Sequence, residues 1–160
     1  MKVGFKIKNK ICTCFGHREV FKDFSCVLSE LLEDLILSEG IIEFWVGDMG
    51  NFDYKFASAV RILKRKYSNI KLILIKPYFS NELNTNKEYY EHYFDDVVIP
   101  DMLSVVHTKS AITKRNRWMV ENSDFIVTYV CRDFGGAYSA KKYALKIEKK
   151  IFEINEILTD

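Results

Sequence analysis

Short, almost wholly apolar runs alternating with segments of helical period restrict this chain more than any other feature. Residues 41–46 (Ile-Ile-Glu-Phe-Trp-Val) and the run Phe125-Ile126-Val127-Thr128-Tyr129-Val130 are apolar at most positions. A strand tolerates that only when both of its faces are covered. Residues 10–15, 72–75, 97–99 and 151–154 read as further strands, the last as an edge. Between them, Leu28, Leu31, Leu32, Leu35 and Ile36 recur at helical spacing over residues 24–37, and Phe52, Phe56, Ala59, Val60 and Leu63 do the same further on. Gly40 suits a left-handed helix cap. Residues 110–122 and 136–149 are two more helices, the second burying Ala137, Ala140, Ala144 and Ile147, while 80–92 reads as a short helix in a polar and aromatic segment. The alternation predicts one α/β domain over residues 1–160, a mostly parallel sheet with helices on both faces.

Charge narrows the partners. The 24 basic and 22 acidic residues leave a net charge of +2, which lacks the basic excess that phosphate neutralisation requires and argues against nucleic acid. No apolar run reaches the ~18 residues of a membrane helix. The lysines of residues 1–10 have no apolar segment after them, so no signal peptide is expected and the cytoplasm is the expected location. Cys12, Cys14, Cys26 and Cys131 show no metal-ligand spacing and read as reduced packing residues; neither a metal nor a cofactor is expected. The abundance of Lys, Ile, Asn and Tyr suits an AT-rich genome, bacterial or phage.

In parallel sheets, ligands sit beyond the carboxyl ends of the strands. The candidate binding residues collect there. Gly16-His17-Arg18 ends the first strand, where Arg18 can grip a phosphate or carboxylate through two hydrogen bonds or simply stand exposed on a capping turn. Gly47-x-x-Gly50-x-x-Asp53 follows the second strand, with Asp53 either a helix cap or a ribose contact and Asp48 a ribose contact or general base. Pro77-Tyr78 closes the third. On the helix before the fifth strand, Arg115 and Met119 share a face at i, i+4, Asn116 lies between them, and Arg117 points elsewhere into solvent. Arg18 and Arg115, from opposite halves of the chain, are expected to bracket a phosphate from partly exposed positions. Asp124 holds either Arg115 or a backbone turn. Gly135-Gly136-Ala137 opens the last helix, where bare N–H groups favour an anion.

These motifs, taken in order and together with Asn122-Ser123-Asp124, resemble the SLOG superfamily, which includes the DNA-processing DprA proteins and the LOG phosphoribohydrolases. The resemblance covers residues 11–154 and is closest to the small, single-domain YpsA-like branch of bacteria and phages. It implies a Rossmann-like fold that binds nucleotide derivatives, including ADP-ribose-type signals. The chain departs from relatives in having Phe15 before and Glu19 after Gly16-His17-Arg18. LOG enzymes carry P-G-G-x-G-T-x-x-E; here Tyr138-Ser139 replaces Gly-Thr and Lys142 stands where the glutamate belongs.

The expected function is therefore non-catalytic: a sensor or sequestering protein for a nucleotide-derived small molecule, of ADP-ribose or nucleoside-phosphate type, held by the candidate residues named above. The expected protein partner is a second copy, in a homodimer or higher homo-oligomer. The alternative is a LOG-like nucleoside-monophosphate N-glycosidase in which Asp48, Asp53 or Asp133 supplies the missing acid. A DprA-like association with DNA is the third reading.

Overall fold

The computed structural model describes residues 9–158; the absent-leader reading of residues 1–10 falls mostly outside them. Six strands form one sheet: β1 (Lys10–Gly16), β2 (Ile41–Val46), β3 (Lys71–Ile75), β4 (Asp96–Val98), β5 (Phe125–Tyr129) and β6 (Lys150–Glu153). Their order is β4-β3-β2-β1-β5-β6 and every pair is parallel, so the sheet is parallel throughout. The helices are α1 (Ser25–Glu39), α2 (Asn51–Lys64), the short α3 (Glu82–Thr85) and α4 (Lys87–Tyr93), α5 (Thr108–Asn122), α6 (Gly136–Lys146) and a terminal turn α7 (Ile154–Ile157). Ile154, expected in the edge strand, instead starts α7 and is fully buried.

The two faces carry separate cores. Cys12, Cys14, Phe44, Val46, Leu72 and Leu74 pack with Leu28, Leu32, Phe56 and Val60 of α1 and α2. Ile11, Phe15, Trp45, Ile73 and Ile126 pack with Met119, Val120, Ala140 and Ala144 of α5 and α6. The alternation along each strand explains the division, since successive side chains point to opposite faces. Gly40 takes the left-handed cap at φ 69° and returns its N–H to Ile36. All four cysteines are free thiols, Cys12 and Cys14 buried, Cys26 and Cys131 exposed. Among the described residues no helix is long and apolar enough to cross a membrane.

The order reverses between β1 and β5: the chain builds outward from β1 to β4, then returns to place β5 on β1's other side. Gly16 pairs with Tyr129 at the level where both strands end. Such a reversal opens a crevice at the carboxyl ends. Beneath it, Phe24 stacks on Tyr129 at 5.1 Å and Phe52 lies 5.7 Å from Phe24. Phe52 leaves no room beside β1, because a Cβ at position 16 would fall 2.1 Å from its ring. Gly16→Ala is therefore expected to lower stability by about 1–3 kcal/mol, as overpacking does, read from the urea midpoint at unchanged m-value. An unshifted midpoint would contradict this packing.

Candidate functional site

A cavity of about 300 Å³ opens at this reversal point. From β1's end come Phe15, Gly16, His17 and Arg18; from the β5–α6 loop and the start of α6 come Arg132, Gly135, Gly136 and Ala137. Met49 and Asp53 line it from the β2–α2 side, and Ile112, Arg115 and Asn116 from α5. Nine of the fifteen sequence candidates thus share one wall: Gly16, His17, Arg18, Asp53, Arg115, Asn116, Gly135, Gly136 and Ala137.

His17 ties the two loops together. It is buried, and its Nε2 accepts the Cys131 backbone N–H at 2.8 Å. That bond needs an unprotonated Nε2, so the proton of neutral His17 sits on Nδ1. Burial, and then the charge of Arg132, draws the His17 pKa below its ordinary value. Gly50 has a matching role on the other side: a Cβ there would lie 2.4 Å from the Arg18 Cα, and Asn51 N–H donates to the Arg18 carbonyl at 2.9 Å. The absence of a side chain at residue 50 lets the Arg18 backbone lie against the start of α2.

Arg115 corrects the expectation of a partly exposed guanidinium. It is only 3% exposed. Its Nη1 donates to the Ile75 carbonyl at the end of β3 at 3.0 Å, and its Nε to Asn116 Oδ1 at 3.1 Å. Gly47 makes the space: a Cβ there would fall 3.0 Å from Arg115 Nη1 and 3.2 Å from Asp53 Oδ2. Burial lowers the Arg115 pKa, opposed by the charges of Asp53 and Asp48, and the group stays cationic. Asp53 caps the turn, its Oδ2 accepting Met49 N–H at 3.0 Å. Burial raises its pKa, against the pull of that bond and of Arg115.

The remaining candidates sit elsewhere. Asp48 forms a 2.7 Å ion pair with buried Lys76, away from the cavity. Pro77 is buried and Tyr78 exposed, both off the cavity wall. Gly47 and Gly50 act through packing, as above. Met119 does share a face with Arg115, but that face is the one packed on the sheet, and Met119 is a core residue. Asp124 binds backbone rather than Arg115: its Oδ2 accepts Ile11 N–H at 2.9 Å. Arg117 is exposed as expected, and it also lines an adjoining hollow. Lys142 is exposed, its Nζ 6.0 Å from the Tyr138 ring, and Asp133 is not on the cavity wall.

Sequence reasoning missed Phe15, Met49, Ile112 and Arg132. Arg132 had a signal, standing in the same loop as Gly135-Gly136; its guanidinium folds back over Phe134 at 4.7 Å. The cavity is thus lined by three arginines and one carboxylate, with the start of α6 lacking both a side-chain cap and any first-turn acid. Its chemistry favours an anion. Among the described residues no cluster of His, Cys, Asp or Glu could hold a metal.

Two outcomes follow from these contacts. Arg115→Ala strands the Ile75 carbonyl and should cost about 1.5–3 kcal/mol of stability; an unchanged urea midpoint would refute the burial. Because the folded pKa of His17 lies below the unfolded one, its neutral form contributes stability that is fully present above about pH 6.5 and is lost as the pH falls through the folded value. His17→Gln should therefore lose less stability than the parent between pH 7.5 and 5.5. Parallel curves would contradict the assigned bond.

The family model YpsA, described as YspA SLOG family, matches residues 19–159. DNA processing protein A (DprA) from Streptococcus pneumoniae superposes with a TM-score of 0.63 at 13% identity, covering 91% of this chain and 50% of that one. DprA from Helicobacter pylori, whose structure is described by its single-stranded DNA binding mode, superposes at 0.60 with 17% identity, covering 90% of this chain and 64% of that one. The chain therefore spans half to just under two thirds of those DprA chains, and the likeness is one of fold. No curated protein gives a significant match.

Proposed function

Since the chain belongs to the YpsA (YspA) SLOG family, we propose that the cavity at the β1–β5 reversal binds a nucleotide-derived small molecule, which the protein senses or sequesters without turnover. The observation that carries this reading is the convergence of Arg18, Arg115 and Arg132 on one cavity with the uncapped start of α6. The guanidinium groups offer forked donors that match phosphate oxygens, and the free N–H groups of the first helical turn add a partial positive charge. Arg115, committed to Ile75 and Asn116, supplies charge from the floor, while exposed Arg18 and Arg132 supply the adaptable grip. Gly135, at φ 93°, holds the entry to α6 in a backbone conformation that side chains rarely adopt and leaves it bare. Asp53, the carboxylate on the cavity wall, is the group this reading assigns to a ribose hydroxyl.

A LOG-like hydrolase would need an acid in the cavity. Lys142 is not there, and Asp53 is the carboxylate on its wall. Release of free base from AMP, abolished by Asp53→Asn, would assign hydrolysis in place of binding alone.

A second reading is supported by the Helicobacter pylori DprA, described as binding single-stranded DNA. That description removes the support for excluding nucleic acid on net charge alone, because a local cluster of three arginines can bind phosphates in a chain of near-zero total charge. The two readings diverge in what they bind. Isothermal titration should show AMP or ADP-ribose binding that falls about ten- to a hundredfold in Arg18→Ala and in Arg132→Ala, one charge-assisted contact each. Fluorescence anisotropy with an oligo-dT strand should show no saturable binding. The reverse pattern, a strand bound in a salt-dependent way and no nucleotide, would overturn the small-molecule reading.

A further inference from the structure

The face of the sheet away from α5 and α6 carries a furrow of about 300 Å³ that shares no residue with the cavity. It runs between α1 and α2, which follow neighbouring parallel strands and pack on the same core. Small side chains leave the gap: Ser29 from α1, Ser58 and Ala59 from α2, with Val20 also lining it. Tyr54 and Ile62 line it too, 69% and 58% exposed. Next to Val20, Phe21 stands 89% exposed outside the furrow, and Leu37 on α1 is 66% exposed. A bare phenylalanine beside a furrow it does not fill puts a knob and a hole on one surface. Large apolar side chains grouped in this way mark contact surfaces, and a surface that carries both knob and hole is self-complementary.

Charge selects how two such surfaces meet. Residues 25–39 hold four acidic residues and no basic one, whereas residues 51–66 hold five basic residues and one acid, Asp53, which lines the cavity instead. One ion pair, Lys66 with Glu33 at 2.5 Å, already joins the two segments within the chain. Among the described residues, exposed Glu30, Asp34 and Arg65 form no ion pair. Laying α1 on the α1 of another copy would set acid against acid. A two-fold axis along the furrow instead sets α1 of each copy on α2 of the other, acid on base.

We propose that the α1–α2 face is the interface of a symmetric dimer of this chain, with Phe21 of each copy seated in the furrow of the other. The heights of the residues fit that symmetry. Ser29 shares the furrow with Ile62, and Glu33 reaches Lys66, so Glu30 stands level with Arg65. Rotation about an axis along the helices preserves height and brings these two charges together across the interface. Phe21 follows Arg18 by three residues, and the Arg18 carbonyl accepts Asn51 N–H at the start of α2. The knob therefore lies at the Asn51 end of the furrow and meets the same end of the other copy's. The interface leaves the cavity uncovered and does not depend on what the cavity binds.

Sedimentation equilibrium of the full chain over a range of concentrations tests this. The parent should fit a monomer–dimer equilibrium, the dimer having twice the 18.8 kDa mass of the chain. Phe21→Glu, which unseats the knob, and Ser29→Trp, which fills the furrow, should each raise the dimer dissociation constant at least about tenfold, since a two-fold interface carries every substitution twice. Val105→Glu, at a comparably bare residue between β4 and α5, should leave the constant within about twofold of the parent. Glu30→Lys should weaken the dimer, and Glu30→Lys combined with Arg65→Glu should restore it. A parent that stays monomeric at every concentration, or a dimer that both Phe21→Glu and Ser29→Trp leave intact, overturns the proposal. So does growth beyond the dimer, or a double charge reversal that recovers nothing.

Discussion

The carboxyl edge of the sheet is organised around a guanidinium group out of water. Arg115 leaves α5, reaches the Ile75 carbonyl at the end of β3, and lies beside the carboxylate of Asp53 in the first turn of α2. Taking a charge out of solvent is costly unless its hydrogen bonds are met. Here a backbone carbonyl and the Asn116 side chain meet two of them, and the nearby Asp53 charge opposes the penalty. The arrangement has consequences on each side. It requires a residue without a side chain at position 47 and orients the Asn116 amide. It also brings the two carboxyl-edge loops and α5 into a fixed relation around an open cavity.

The second tie lies at the mouth of the cavity. His17 and Cys131 close the gap between the loops after β1 and β5, which lead to α1 on one face of the sheet and to α6 on the other. A parallel sheet with its order reversed must leave a crevice there. In this protein the crevice is spanned on the sheet side by an imidazole and left open toward α5 and α6. Local charge, not total charge, then sets what can enter. Three arginines against one carboxylate make a cationic pocket in a chain whose net charge is only +2. The same fact makes overall charge a poor guide to nucleic-acid binding at this site.

Much of the fold was legible in advance because it rests on periodicity. Strands covered on both faces read as unbroken apolar runs, and helices packed on one side read as stripes, whatever the rest of the chain does. The β1, β2, β3 and β5 runs and the α1 and α2 stripes fell where these patterns placed them. The weaker signals lay at the margins. Ile154 reads as strand and starts a helical turn, since a lone apolar residue after a short edge strand fits either period. The resemblance to SLOG proteins rested on short motifs at strand ends, and the match over residues 19–159 agrees with it.

By itself, then, the sequence determined the class of fold, the family and the edge of the sheet at which polar and glycine-rich turns gather, because each of these follows from local pattern and chain order. Only the tertiary structure decided what the residues at that edge do. Nothing local distinguishes a helical arginine that faces solvent from one that meets a carbonyl 40 residues away, so Arg115 turned out to be buried and Met119, on the same face, to be core. Gly16, Gly47 and Gly50 read as candidate binding residues at strand ends, yet each is small because of a neighbour remote in sequence: Phe52, Arg115 and the Arg18 backbone. Arg132 reaches the cavity from the β5–α6 loop, and Arg117 lines the adjoining hollow between α5 and α6. Spacing along a chain sets which face a side chain shares, and only the packing of elements sets what that face meets.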